Sequence, residues 1–82
     1  EINMERIEEI ARIIQTELGK ESIDYDQSLI DIGMESIIFV RIIVALEMKY
    51  GVEFPDEELF MLRMDTIRTY DQSITRLLNE KH

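Results

Sequence analysis

The sequence predicts an all-α bundle of three longer helices and one short helix, with a long loop between the first two helices. Apolar residues recur at three-to-four spacing in three separate segments, as on the buried faces of amphipathic helices. Three glycines and one proline are too few for a many-turned β architecture. At 82 residues the chain is expected to form one domain, residues 1–82, with little room for a deep catalytic cavity.

Composition narrows the possible functions. The chain has no cysteine, which excludes a disulfide framework and a thiolate metal site. A formal net charge of −9 repels phosphate groups, so neither nucleic acid nor an anionic membrane is an expected partner. The apolar run from residue 37 to residue 46 contains Arg41 and is about half the length of a membrane span. Nothing at the start resembles a signal peptide, and we expect a cytoplasmic monomer.

The first helix is predicted from about Asn3 to Leu18, with Gly19 ending it in the left-handed conformation that favours glycine. Its apolar stripe consists of Ile7, Ile10, Ala11, Ile14 and Leu18. Between Lys20 and Glu35 the periodicity lapses, and Leu29 and Ile32 are expected to tie this loop to the core. A loop of this length is expected to have a function.

The second helix is predicted from about Ser36 to Tyr50, ending at Gly51. One stripe has the spacing of a core-facing helix and contains Phe39, Ile42, Ile43, Leu46 and Tyr50. Four more apolar residues fall outside it, around Arg41: Ile37, Val40, Val44 and Met48. They predict an exposed contact surface. The alternative is that neighbouring helices wrap further round and bury some of them.

A short third helix is predicted after Pro55 and through about Leu62, because three acids follow the proline where a helix N-terminus favours them. Asp65 or Thr66 is predicted to cap the last helix. That helix carries its apolar stripe at Ile67, Tyr70, Ile74, Leu77 and Leu78.

Ser36 invites three chemical interpretations. As a helix-starting residue, Ser36 or Glu35 would accept hydrogen bonds from the first turn. As a catalytic nucleophile it would need a base, but the only histidine is His82, the last residue. We therefore predict no catalytic residues. The third interpretation is that Ser36 is a site of attachment.

A calcium loop is a further alternative. The stretch "DYDQSLIDIGME" offers oxygen ligands at loop positions one, three, five and twelve, filled by Asp24, Asp26, Ser28 and Glu35. Position six of an EF-hand requires glycine for its sharp turn and is Leu29 here. We therefore expect no metal site.

Three stretches, "LIDIGMESI", "ALEMKY" and "EFPDEEL", resemble the acyl carrier protein family, which includes the related peptidyl carrier proteins. That family has a Leu-Gly-x-Asp-Ser-Leu attachment motif, then a helix containing "ALE" and an aromatic residue, then an "IPDEE"-like turn. The resemblance covers nearly the whole chain. It implies an acyl-carrier-protein-like four-helix bundle.

The resemblance also implies the chemistry. Ser36 would carry 4′-phosphopantetheine, transferred from coenzyme A by a phosphopantetheinyl transferase, and the thiol of this arm would hold acyl or aminoacyl groups as thioesters. The chain would be a non-catalytic shuttle. Its other partners would be an acyltransferase or an adenylating enzyme that activates an acyl or amino acid, and downstream synthase, condensation or tailoring enzymes.

Departures from the family pattern bear on the pathway. Glu35 replaces the usual Asp and Ile37 the usual Leu, while the second helix contains Glu47 as its only acid. Fatty-acid carriers have several acids there, so a polyketide, nonribosomal-peptide or hybrid pathway is favoured and primary fatty-acid synthesis is the alternative. The residues expected to dock partner enzymes are Glu35, Ile37, Val40, Arg41, Val44, Glu47 and Met48. An unmodified helical interaction domain is the alternative from another functional class.

Overall fold

The computed structural model describes residues 4–81, in which three α-helices and two short 3₁₀ helices occur and no strand. Helix α1 spans Met4–Leu18, α2 spans Ser36–Tyr50 and α3 spans Ile67–Glu80. The all-helical class and the three longer helices are confirmed. The predicted helix start at Asn3, and His82, lie outside the described residues.

The short third helix is smaller than predicted. It consists of one 3₁₀ turn, Asp56–Glu58, and at Leu59 the chain leaves helical geometry with φ −88° and ψ +57°. A helix this short has little hydrogen bonding to offset the cost of nucleation. Buried Phe54 before the turn and buried Met64 after it fix both ends of the segment to the core instead. A second 3₁₀ helix, Ile30–Ile32, lies in the long loop and is too short to have a recognisable periodicity.

Helix α1 packs against both α2 and α3, and the predicted apolar stripes face the core between them. From α1 these are Ile7, Ile10, Ala11 and Ile14; from α2 Phe39, Ile42, Ile43 and Leu46; and from α3 Ile67, Tyr70, Ile74 and Leu77. Leu18, Tyr50 and Leu78 are partly buried at the margin of the same core. Gly19 and Gly51 follow α1 and α2 with φ of +68° and +64°, so both predicted helix ends are confirmed.

One of two attachments between the long loop and the start of α3 is made by Asp65. Its carboxylate accepts hydrogen bonds from the Ser28 hydroxyl and from the Ile30 backbone N–H, the latter at 2.8 Å. Its backbone carbonyl accepts from the N–H of Leu29 at 2.7 Å. Leu29 is fully buried, as predicted, and Ile32 is half-buried. Because Asp65 is committed to the loop, Thr66 is the residue that caps α3, accepting from the N–H of Thr69 at 3.2 Å.

A second attachment joins the same loop to the first turn of α3. The Arg68 backbone N–H donates to the Tyr25 carbonyl at 3.0 Å, and the Arg68 guanidinium forms two hydrogen bonds with the Asp26 carboxylate. The guanidinium also lies 5.9 Å from the centre of the Tyr25 ring. The loop is therefore held along its length, although it contains only one short 3₁₀ helix.

Removal of the Asp65 carboxylate should lower the stability of the protein strongly. Asp65→Ala removes an ionised acceptor and leaves the Ile30 N–H without its partner, so the free energy of unfolding should fall by about 2–3 kcal/mol. Asp24→Ala removes an exposed carboxylate from the same loop and should change stability by less than about 0.5 kcal/mol. Urea unfolding followed by circular dichroism measures both, and equal losses in the two variants would contradict this role for Asp65.

Two aspartates should affect the pH dependence of stability with opposite sign. Burial raises the pKa of Asp71, and the charges of Arg6 and Arg68 offset part of this increase. The charged form of Asp71 therefore opposes folding, so the protein loses stability as pH rises through the raised pKa. The hydrogen bond from Arg68 lowers the pKa of Asp26, whose contribution is present above the unfolded-state pKa and is lost as pH falls through the folded one.

At pH 7, Asp71→Asn should therefore be more stable than the wild type and Asp26→Asn less stable, with both differences shrinking towards pH 3. Thermal melts of the three proteins between pH 3 and pH 7 measure this. Differences of the same sign in the two variants would contradict the assignment.

Candidate functional site

The end of the long loop positions Ser36 at the start of α2 through the contacts of Met34 and the extended backbone of Glu35. Met34 is buried, its N–H donates to the Leu29 carbonyl at 2.9 Å, and the Tyr70 hydroxyl contacts its sulfur at 3.6 Å. Glu35 is then extended, with φ −113° and ψ 171°, and stands at the N-cap position. Ser36 follows as the first residue of α2, with its side chain exposed to solvent.

The Ser36 hydroxyl forms no hydrogen bond that would stabilise the described part of the fold. Glu35 provides no side-chain cap, and within residues 4–81 the Ser36 hydroxyl makes no hydrogen bond. The interpretation of this serine as a capping residue is therefore wrong. The first bond of the α2 ladder runs from the Phe39 N–H to the Glu35 carbonyl at 2.8 Å, so the preceding N–H groups of the first turn have no partner within the helix. An exposed hydroxyl thus lies beside free N–H donors at the positive end of a helix dipole, which suits a phosphodiester.

The apolar residues outside the core stripe of α2 form a continuous exposed surface, which we call the outer face of α2. It consists of Ile37, Val40, Val44 and Met48, whose exposed fractions are 69%, 55%, 46% and 80%. The prediction that these residues form a second apolar face is confirmed, and the alternative that neighbouring helices bury them is wrong. Ser36, Val40, Val44 and Met48 are spaced by four residues and therefore follow one line along the helix.

The charged residues predicted to dock partners have different local environments. Glu35 is exposed beside Ser36. The Arg41 Nε lies 2.9 Å from a Glu17 carboxylate oxygen on α1, although the Arg41 side chain remains 67% exposed. Glu47 is half-buried, and one of its oxygens accepts from the Phe54 N–H at 2.9 Å. Glu47 is therefore committed to the segment after α2, which makes it less available to a partner than Glu35 or Arg41.

Two of the four candidate ligands of the possible calcium loop have other partners. Asp26 pairs with Arg68, and the Ser28 hydroxyl donates to Asp65. Across residues 4–81, no three His, Cys, Asp or Glu side chains are grouped as metal ligands. No helix in this part of the chain is long and apolar enough to cross a membrane.

Sequence analysis missed a second exposed apolar group, after the 3₁₀ turn Asp56–Glu58. Phe60 and Leu62 are 54% and 82% exposed, and the Arg63 guanidinium lies 5.5 Å from the centre of the Phe60 ring. The sequence places Phe60 and Leu62 in the predicted short third helix. The sequence "LFML" shows that the segment is apolar but does not show which residues face solvent.

Comparison with known proteins places this geometry in a family. Residues 8–69, which include Ser36 and the outer face of α2, match the family described as "Phosphopantetheine attachment site". The chain belongs to the acyl carrier protein family. It is 38% identical over 60 residues to an acyl carrier protein of Tropheryma whipplei (strain Twist), covering 70% of this chain and 73% of the relative. An acyl carrier protein of Campylobacter hominis is 29% identical over 77 residues, covering 89% and 98%.

The fold agrees with a solved structure. A chain of the structure titled "The ishigamide ketosynthase/chain length factor" superposes with a TM-score of 0.76, covering 94% of this chain and 99% of that one, at 23% identity. The predicted family and helical class are thus confirmed, and the chain is a carrier protein with a covalently attached phosphopantetheine group. The exposed hydroxyl and free N–H groups at the α2 N-terminus fit such a group.

Substitution by aspartate should have a small effect on stability on the outer face of α2 and a large effect on its core face. Val40→Asp places a carboxylate in solvent near a helix N-terminus, so the free energy of unfolding should change by less than about 1 kcal/mol. Ile42→Asp buries an unpaired charge among core residues and should unfold the domain, at a cost of more than about 3 kcal/mol. Circular dichroism melts of both variants measure the difference, and a comparable loss in Val40→Asp would show that the outer face is buried.

Proposed function

We propose that Ser36 is the residue to which 4′-phosphopantetheine is attached, and that the protein is a non-catalytic carrier of acyl or aminoacyl intermediates. The single observation that carries this proposal is an exposed hydroxyl without a hydrogen bond in the described chain, at the first residue of α2 and within the matched family region. The arm, when attached, supplies the thiol that forms thioesters. This explains why a chain without cysteine takes part in thiol chemistry.

The attachment reaction needs little from the chain itself. The Ser36 oxygen forms a bond to the phosphorus that carries the pantetheine, the pyrophosphate bond of coenzyme A breaks, and adenosine 3′,5′-bisphosphate leaves. A base of the phosphopantetheinyl transferase takes the hydroxyl proton. The described chain therefore needs only to expose the hydroxyl and to offer the α2 N-terminus to the phosphate charge.

Several features support a specialised pathway of the polyketide, nonribosomal-peptide or hybrid type. Helix α2 has one acid, Glu47, and that acid is bonded to the Phe54 N–H, so the helix lacks the acidic character typical of fatty-acid carriers. The structural neighbour's title names a ketosynthase and chain length factor, which supports a synthase as one partner. The others are an acyltransferase or an adenylating enzyme. Primary fatty-acid synthesis remains the second candidate, because the similar relatives are named acyl carrier protein.

The attachment site is tested by intact-mass spectrometry. The apo-protein, incubated with coenzyme A and a promiscuous phosphopantetheinyl transferase, should gain the mass of one phosphopantetheinyl group, and Ser36→Ala should gain nothing. Because the Ser36 hydroxyl makes no hydrogen bond in residues 4–81, the free energy of unfolding of Ser36→Ala should lie within about 0.5 kcal/mol of the wild-type value.

Ser22→Ala is the matched control, since Ser22 is an exposed serine of the loop before α2, and it should be modified like the wild type. A mass gain in Ser36→Ala would refute the assignment of Ser36. No gain in the folded wild-type protein would favour the alternative of an unmodified interaction domain.

A further inference from the structure

Tyr70 places a phenol hydroxyl in the apolar core. The residue is 0% exposed and is one of the largest fully buried side chains of the described chain. A buried hydroxyl lowers stability unless it is hydrogen-bonded, and phenylalanine would fill the space of the same ring without that cost. Burial raises the pKa of Tyr70, so the hydroxyl stays neutral around pH 7 and remains a donor. Packing alone therefore does not explain this hydroxyl.

The hydroxyl joins helix α3 to the end of the long loop. In the described chain its acceptor is the sulfur of Met34, at 3.6 Å. The carboxylate of Asp65 also raises the pKa of Tyr70, but its two oxygens accept from the Ser28 hydroxyl and from the Ile30 N–H. A thioether is a weak acceptor, and replacement of both partners by apolar groups of the same shape would be nearly neutral for stability. The contact contributes little to stability, which leaves a positional role.

Met34 is the last buried residue before Ser36. It is 2% exposed, whereas the two residues that follow it are exposed. Its N–H donates to the Leu29 carbonyl at 2.9 Å, and its sulfur contacts the Tyr70 hydroxyl. Glu35 makes no side-chain cap that would fix the chain beyond this point. The backbone that leads into the serine is therefore fixed at Met34.

The position of the serine oxygen matters for the transfer of phosphopantetheine. The attacking oxygen must approach the phosphorus in line with the oxygen that leaves. A displacement of about 1 Å at a reacting atom can lower a rate about 100-fold. Because the Ser36 hydroxyl makes no hydrogen bond in the described chain, its position follows from the backbone that carries it.

We propose that Tyr70 is a positioning residue for the modification of Ser36: its hydroxyl holds the Met34 sulfur and thereby fixes the backbone from which α2 and the serine begin. This inference rests on the proposed attachment to Ser36. Because Tyr70 is fully buried, it acts on the exposed serine only through Met34. Loss of the contact lowers kcat, whereas the surface that the transferase meets is unaltered and KM is retained.

The test measures kcat and KM for modification of the apo-protein by a purified promiscuous phosphopantetheinyl transferase, with coenzyme A saturating and with folding checked by circular dichroism. Tyr70→Phe should lower kcat at least fivefold, keep KM within twofold and move the amide NMR signal of Ser36. Tyr50→Phe is the matched control, because it removes a hydrogen bond of 2.8 Å to Glu9 from the last residue of α2, about 21 Å along the helix from Ser36. Its kcat should stay within twofold of the wild type.

A second pair of variants removes the acceptor instead of the donor. Met34→Leu conserves the side-chain volume and should also lower kcat at least fivefold, whereas Met64→Leu, at another buried methionine, should stay within twofold. The double variant Tyr70→Phe/Met34→Leu should be no slower than either single variant, because all three lack the same contact.

Melting temperatures separate positioning from stability. Met34→Leu leaves the Tyr70 hydroxyl buried without an acceptor and should melt at a lower temperature than the wild type. The double variant removes that hydroxyl and should regain the lost melting temperature, while its kcat stays at least fivefold below the wild-type value.

Three results would overturn the proposal: a fall in kcat of less than fivefold in Tyr70→Phe, an equal fall in Tyr50→Phe, or recovery of kcat together with melting temperature in the double variant. If Tyr70→Phe does not fold, the comparison of Met34→Leu with Met64→Leu decides alone, and kcat values that differ less than fivefold overturn it. Failure of the proposed function has a different signature, since the folded wild-type protein then gains no mass with the transferase.

Discussion

The position of Ser36 depends on the hydrogen bonds of one residue, Asp65. Its side chain and its carbonyl together hold Ser28, Leu29 and Ile30, three successive residues of the loop. Leu29 is thereby fixed in the core, and its own carbonyl accepts from the N–H of Met34, two residues before the serine. A loop with almost no regular secondary structure can present a reactive group reproducibly only if its backbone polar groups are satisfied in this way.

Helix α2 has two apolar faces with different roles. In a small domain few apolar residues are available, and burial of one stripe against α1 supplies much of the core. Leaving a second apolar stripe in water has a cost in solubility, because such surfaces promote association. That cost fits the proposed function, in which partner enzymes cover the helix that begins at Ser36.

Many acids of the chain serve the internal structure rather than a partner. Asp65 and Glu47 accept backbone N–H groups, Asp26 pairs with Arg68, and Glu17 pairs with Arg41. Total charge is therefore a poor guide to the surface that partners meet. The composition favours basic partners, whereas the local environment of α2 is apolar and contains a guanidinium.

The three long helices, the glycines that end the first two and the buried stripes follow from the sequence alone, because helical periodicity and terminal glycines are local signals. The periodicity also separated Ile37, Val40, Val44 and Met48 from the core stripe, but it left open whether neighbouring helices bury them, and the folded structure shows them exposed. The family motif pointed to Ser36. The folded structure was needed to show that Asp65 holds the loop while Thr66 caps α3. It was also needed to show that Glu47 accepts from the Phe54 N–H and that the segment after Pro55 makes a single 3₁₀ turn. The Asp65 contacts join residues more than 30 positions apart. Which residue caps a helix and which group a carboxylate binds depend on the groups that the folded chain brings together, and no local sequence pattern encodes this.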